Sequence, residues 1–170
     1  MIESPLGTLI ITPASKDELD VVIEIYDDAA LWLTAQGSRQ WPYPQPQWIR
    51  DAIEGRIEQG QVFLCRAPDD RAIGTIRVQW ADPNVWPEDS GDAGYIHGLA
   101  TRRELKGQGI GRLMLEWARD YIRANGKKYL RLDCVADNPA LRRYYENLGF
   151  RFCGEVADVH HLAARYETTV

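Results

Sequence analysis

Cysteine is scarce in this chain. Three thiols in 170 residues, Cys65, Cys134 and Cys153, are odd in number, widely spaced and set among apolar neighbours. That pattern excludes a disulfide framework and lacks zinc-type spacing, so it reads as reduced thiols in a cytoplasmic protein. No run approaches the ~18 apolar residues of a membrane span, and the N-terminus lacks a basic stretch followed by an apolar one. The expectation is a soluble, unsecreted protein with no membrane partner. An excess of positive charge is missing too: the net charge is -5 at pH 7, with a pI near 5.2. This argues against nucleic acid as a partner, because holding a phosphate polymer needs a basic face. Repeats, low-complexity tracts and linkers are also absent, so residues 1–170 read as a single domain.

What is present is a succession of periodic segments. Thr8 to Thr12 is a β-branched run ended by Pro13, the first expected strand. Ser15 and Glu18 form a capping-box pattern ahead of Leu19, Val22, Ile23 and Tyr26, which predicts a helix from about Lys16 to Ala35. Gly37 to Pro46 is too proline-rich for regular structure, and a second helix with Ile49, Ala52, Ile53 and Ile57 on its buried face ends at Gly60. Val62 to Ala67 and Ile73 to Trp80 predict a hairpin, followed by a polar loop to Gly94. Tyr95 to Thr101 is the next strand. Ile110, Leu113, Met114, Trp117, Ala118, Tyr121 and Ile122 then recur at helical spacing as far as Gly126. A strand over Lys128 to Ala136, a short helix capped near Asp137 or Asn138 and stopped by Gly149, and strands over Phe150–Val156 and Val159–Thr169 complete an order βααβββαβαββ. The class is α/β with a mixed sheet.

Between the strand ending at Thr101 and the helix starting at Ile110 lies "ELKGQGIGRLML", with Gly107, Gly109 and Gly111 at alternate positions and Arg102, Arg103, Lys106 and Arg112 around them. A glycine loop between strand and helix grips phosphate, since the first helical amides have no internal partners and the helix dipole favours an anion. The spacing does not fit the dinucleotide pattern G-x-G-x-x-G, nor does Gly111-Arg112-Leu113 fit a P-loop. A tight turn without a ligand is the plain alternative. The segment "KGQGIG", Lys106 to Gly111, resembles the Gln/Arg-x-x-Gly-x-Gly/Ala loop of the GCN5-related N-acetyltransferases, with lysine in the first position. "NPALRRYYENLGF", Asn138 to Phe150, is similar to that family's second signature, with Leu141 where alanine is usual.

The resemblance implies a central, mostly antiparallel sheet with one splayed parallel strand pair and about four flanking helices. It also implies acetyl-CoA as co-substrate, an amine acceptor and no metal. On this pattern the amides of Gln108, Gly109, Ile110, Gly111 and Arg112, with Gly107 in the loop, would cradle the pyrophosphate. Lys106 and Arg112 either add side-chain charge or are simply solvated. The segment Leu99, Ala100 and Thr101 would lie along the pantetheine arm, with an amide near Leu99 polarising the thioester carbonyl. Asn138 matches the asparagine that contacts the arm, and also suits a helix cap. Tyr145 matches the tyrosine that donates a proton or hydrogen bond to the departing thiolate, and Tyr144 reads as core.

The base is left between His97, Asp133 and no side chain. Alternation places Tyr95, His97, Leu99 and Thr101 on one strand face, so His97 could take the ammonium proton through a water. Asp133 interrupts the apolar strand "YLRLDCV" and suits holding an ammonium. Cys134 reads as a buried structural thiol, which favours direct transfer over an acyl-enzyme. His160 and His161 are adjacent and would face opposite sides of a strand, so they are not expected to chelate a metal as a pair. Trp41, Tyr43 and Trp86, on two loops, are the expected walls of an acceptor pocket, and Glu88, Asp89 and Asp92 suit a cationic acceptor. The reading is an N-acetyltransferase of a small-molecule primary amine. Its rivals are a non-catalytic acyl-CoA-binding module and a protein N-terminal or lysine acetyltransferase. A homodimer is frequent in the family, but no interface is legible here.

Overall fold

A computed structural model describes every residue except Arg39, Asp89, Val159, His160 and His161. The expectations placed on Asp89, His160 and His161 therefore lie outside the described residues. The elements are β1 (Ile2–Ser4), β2 (Gly7–Pro13), α1 (Leu19–Ala35), α2 (Gln47–Glu58), β3 (Val62–Arg66), β4 (Ala72–Gln79), β5 (Ala93–Thr101), α3 (Ile110–Ala124), β6 (Tyr129–Val135), α4 (Pro139–Asn147), β7 (Arg151–Ala157) and β8 (Leu162–Thr169). They build an eight-stranded sheet in the order β1-β2-β3-β4-β5-β6-β8-β7, with β5 and β6 as its parallel pair. The mixed sheet and its helices are those the sequence predicts. Strand β1 is not: three residues pairing with β2 through Ile2↔Leu9 are too few to show a period. Single-turn 3-10 helices at Lys16–Glu18 and Arg103–Leu105 are likewise too short to show one.

The chain divides into two compact units. The first comprises Met1–Arg77 and Gly98–Leu115. Its core joins Val22, Ile25 and Tyr26 of α1 to Ile53 and Ile57 of α2 and to Val62 and Leu64 of β3. Val22, Tyr26, Ile53 and Ile57 are positions the helical period selects, whereas Ile25 is buried outside the expected stripe and Ala52, expected on the buried face of α2, is exposed. At the expected capping box, the Ser15 amide donates to Glu18 Oε2 at 2.8 Å, and the Ser15 hydroxyl donates to the same carboxylate at 3.1 Å. Glu18 is also engaged by Arg66.

The second unit comprises Val78–His97 and Glu116–Val170. Strands β5 and β6 pair in parallel from Ala93↔Tyr129 to Ile96↔Leu132, and β6 pairs antiparallel with β8 from Tyr129↔Thr169 to Val135↔Ala163. The register of the parallel pair ends at Ile96 and Leu132, although β5 runs on to Thr101 and β6 to Val135. His97 and Asp133 are the first residues past that point. Helix α3 crosses β5 so closely that a Cβ on Gly94 would fall 2.6 Å from Ile122, which explains a glycine inside a strand.

Candidate active site

In the first unit, β5 delivers the chain into the 3-10 turn and then the glycine loop. Gly107 and Gly109 have φ of +84° and +76°, which L side chains rarely adopt, and a Cβ on either would meet nothing within 4 Å. Two things follow. Backbone conformation requires glycine there, and the space beside the loop is open. The Lys106 amide donates to the Arg103 carbonyl at 3.1 Å and the Gln108 amide to Leu105 at 3.2 Å, so the loop is braced by its own backbone. The Leu113 amide donates to the Gly109 carbonyl at 3.1 Å and opens the helical ladder. The amides of Ile110, Gly111 and Arg112 precede it, in the turn where helix geometry supplies no internal acceptor. This cradle fits a phosphate-bearing group.

The basic island is less uniform than its sequence suggests. Arg102 donates through Nε to the Ala72 carbonyl at 2.9 Å and pairs with Glu24 at 3.3 Å, so it is a structural residue. The Arg103 amide donates to Asp28 at 2.6 Å. One turn further along α1, the Trp32 ring lies under the Arg103 guanidinium at 4.0 Å and the Lys106 ammonium at 4.7 Å. These cation–π contacts hold both charges beside the loop.

Leu99, Ala100 and Thr101 form the end of β5, with Ala100 buried and the other two half-buried. The expected single face from Tyr95 to Thr101 is corrected by Gly98. Its φ of +55° lies in the left-handed region, and a Cβ there would fall 2.2 Å from the Tyr26 hydroxyl. A strand residue in that region breaks the two-residue alternation, so His97 and Leu99 do not inherit one face from simple counting. Of the loop aromatics in this unit, Trp41 is half-buried, edge-on to Tyr26 at 5.2 Å, while Tyr43 is 48% exposed. The Gln45 amide donates to Asp27 at 2.7 Å and fastens that loop to α1.

In the second unit, α4 starts as the sequence predicts: Asn138 Oδ1 accepts from the Leu141 amide at 3.0 Å, with Pro139 in the first turn. The cap role of Asn138 is therefore realised. Tyr145 is 8% exposed and its ring meets Tyr144, Phe150 and Tyr166 at centroid distances of 5.4, 5.8 and 6.0 Å. Burial, reinforced by Cys134, Tyr144 and Asp133, pushes its phenol well above the ordinary tyrosine range. Tyr144, expected in the core, is 36% exposed instead, because on a helix this short the residue facing the sheet is its neighbour. Cys134 is buried, and burial with help from Asp133 pushes its thiol up to about 12. A thiol so hard to ionise is no nucleophile.

His97 and Asp133 are brought together with a residue that the sequence pattern does not single out. One donor atom each of Asp82, His97 and Asp133 all lie within 4.8 Å of one another. His97 Nε2 is 3.5 Å from Asp82 Oδ2, and the two side chains are only 19% and 11% exposed. Nothing in the spacing of Asp82 distinguishes it from the other acids of its loop. Trp86 of that loop is not an open pocket wall: it is 7% exposed, packed with Val85, Ala93, Tyr95 and Ala163. Arg131 and Arg165 lie over its ring at 4.7 and 5.1 Å. An indole is a large apolar surface flanked by two cations, so packing claims it.

Comparison with known proteins agrees with this layout. Residues 22–150 match the model of the acetyltransferase (GNAT) family. N-acetyltransferase YesJ of Bacillus subtilis is 35% identical over 156 residues, covering 88% of this chain and 86% of that one. A GNAT-family acetyltransferase from Listeria monocytogenes superposes with a TM-score of 0.81 at 23% identity over 99% of both chains. The yncA protein of Salmonella typhimurium, solved with its cofactor acetyl-CoA, does so with a TM-score of 0.69 at 18% identity over 96% of this chain and 94% of that one. At those identities the two solved structures speak for the fold alone. Among the described residues no helix is long and apolar enough to cross a membrane.

Proposed function

The chain belongs to the GNAT acetyltransferase family and is an acetyl-CoA-dependent N-acetyltransferase, and from that premise we propose that its acceptor is the primary amine of a small, cationic molecule. The observation that carries this reading is the trio Asp82, His97 and Asp133. Two carboxylates beside one imidazole attract an ammonium and supply a group able to deprotonate it. Trp41 and Tyr43, on a loop of the first unit, offer aromatic faces to the acceptor's apolar or cationic parts. Residues 1–170 are taken as one catalytic domain, because the matched segment runs through both units.

Acetyl-CoA supplies the acetyl group in activated form, as a thioester. The Gln108 amide is already given to the Leu105 carbonyl, so the amides of Gly109 to Arg112, with Lys106, hold its pyrophosphate, and the backbone of Leu99 to Thr101 aligns its pantetheine arm. Asn138 adds a side-chain contact to the arm. Asp133 holds the acceptor's ammonium and His97 takes its proton through a water, leaving a neutral nitrogen to attack the carbonyl carbon. The amide of Leu99 steadies negative charge on the carbonyl oxygen as the N–C bond forms. Tyr145 hydrogen-bonds the sulfur as the C–S bond breaks, and the proton taken by His97 leaves to solvent. No metal enters this scheme. The free cysteines support a reducing compartment, and the cytoplasm is the proposed location.

The test is thiol release from acetyl-CoA with spermidine, with streptothricin and with a peptide bearing an N-terminal alanine, each with and without EDTA. Streptothricin is the acceptor in the name of a Streptomyces lavendulae relative 26% identical over 104 residues, and spermidine that of a structural neighbour from Vibrio cholerae. Turnover of a small amine that survives EDTA supports the reading. Turnover of the peptide alone, or loss of rate on chelation, overturns the acceptor class or the metal-free chemistry respectively.

A further inference from the structure

The scheme above gives Asp82 no part in the proton transfer, although it lies in a loop that is anchored and largely withdrawn from water. We propose that Asp82 is a positioning residue that holds the His97 ring in the orientation and tautomer of a general base. This rests on His97 being the base, as proposed above.

The contact itself is electrostatic. At 3.5 Å, Asp82 Oδ2 and His97 Nε2 are within ion-pair reach but beyond a well-formed hydrogen bond. Both groups are largely withdrawn from water, so the carboxylate acts on the ring with little screening. A carboxylate facing Nε2 favours the proton there, which leaves the lone pair of Nδ1 free to accept one.

The mounting makes the contact purposeful. The Asp82 carbonyl accepts from the Trp86 amide at 2.7 Å, closing a tight turn. Trp86 is sunk among Val85, Ala93, Tyr95 and Ala163, with Arg131 and Arg165 against its ring. Arg165 also donates to the Val85 carbonyl at 3.5 Å and to the Cys153 carbonyl at 3.2 Å. The turn is thus pinned to β5, β7 and β8, and the Asp82 backbone has little freedom to swing. A solvated loop acid needs no such anchor, and Glu88, a few residues on, is exposed. Among the described residues, charged groups of the neighbouring strands include Asp133 of β6, Arg165 opposite it in the β6–β8 register, and Arg131, which donates to Glu167 at 2.8 Å and to the Tyr95 hydroxyl at 3.0 Å.

Long-range proton–nitrogen spectra of the 15N-labelled full chain, recorded between about pH 5 and 9, test the coupling around the ordinary histidine midpoint. His97→Ala identifies the His97 signal among those of the three histidines. The expected result is a neutral His97 protonated on Nε2, with Asp82→Asn lowering its titration midpoint by about one pH unit and erasing the tautomer preference. Asp82→Glu, which keeps the charge, retains the wild-type midpoint. An unchanged midpoint and tautomer in Asp82→Asn overturns the inference, as does an equal drop in Asp82→Glu, which would assign the effect to the turn's packing. In the acetyl-CoA and spermidine or streptothricin assay, Asp82→Asn lowers kcat roughly tenfold or more without raising KM for acetyl-CoA. The double variant with His97→Ala is no slower than His97→Ala alone. A fully active His97→Ala refutes the base itself while leaving the spectral coupling in place, so the two failures are distinguishable.

Discussion

Replacing Tyr145 with phenylalanine removes one hydroxyl and leaves the ring packing against Tyr144, Phe150 and Tyr166 intact. The size of the effect follows from the environment of the phenol. Burial pushes it above its ordinary value, so it stays protonated across the working pH range and contributes no basic limb to the rate profile. The same shift makes it a weak acid beside a thiol that titrates near ~8.5, so complete proton transfer to the departing sulfur is uphill. Its contribution is then a hydrogen bond to a charged group, about 1.5–3 kcal/mol, or roughly a 10- to 150-fold loss in kcat. Full general-acid catalysis would allow losses of up to about 10⁴. Steady-state kinetics at saturating acetyl-CoA, with Tm as the control for packing, reads all of this. KM for acetyl-CoA and Tm should hardly move. A kcat within twofold of wild type refutes the role of Tyr145, and a parallel rise in KM reassigns it to cofactor binding.

Gly109→Val puts a β-branched residue at φ +76° and a side chain into the open approach to the loop, and should raise the acetyl-CoA Kd by at least about tenfold; calorimetry showing an unchanged Kd would remove the cradle. Trp86→Ala strips a buried indole from between Arg131 and Arg165 and should cost about 3–5 kcal/mol, a Tm drop of about 6–20 °C by calorimetric scan. A change below about 1 kcal/mol would deny that Trp86 anchors its turn. At Glu18, burial pushes the carboxyl up, but the Ser15 amide and hydroxyl and Arg66 outweigh it and hold it below the usual range. A depressed carboxyl stabilises the fold above its unfolded value and loses that contribution as pH falls through the folded one. Glu18→Gln should therefore be less stable than wild type near neutrality, with the difference shrinking below the unfolded midpoint and vanishing only once pH has fallen below the lowered folded one. A deficit that persists in acid denaturation curves would mean that packing, not charge, is lost.

The parts of the site that were legible are those where backbone needs dictate residue type. Gly107 and Gly109 sit at positive φ, Asn138 caps α4, and the stripe from Ile110 to Ile122 spells out α3. Gly98 stands in the same stretch, but strand alternation assumes a uniform backbone, and one left-handed residue resets it. Trp86 and Asp82 were illegible for a different reason. A tryptophan in a polar, proline-flanked loop carries no local sign of whether it faces water or the sheet, and the sheet that buries it is made of residues far along the chain, among them Arg131 and Arg165. Asp82 acquires its neighbour only through that burial.

In the proposed reaction the acetyl group passes directly from acetyl-CoA to the acceptor nitrogen, with no protein side chain carrying it. Intact-mass spectrometry of the protein mixed rapidly with acetyl-CoA and quenched, first without and then with an amine from the panel, tests it most directly. Direct transfer leaves unmodified protein in both samples and acetylated amine in the second. Acetyl-protein that appears before amine is added and disappears afterwards would mean that a side chain carries the acetyl group.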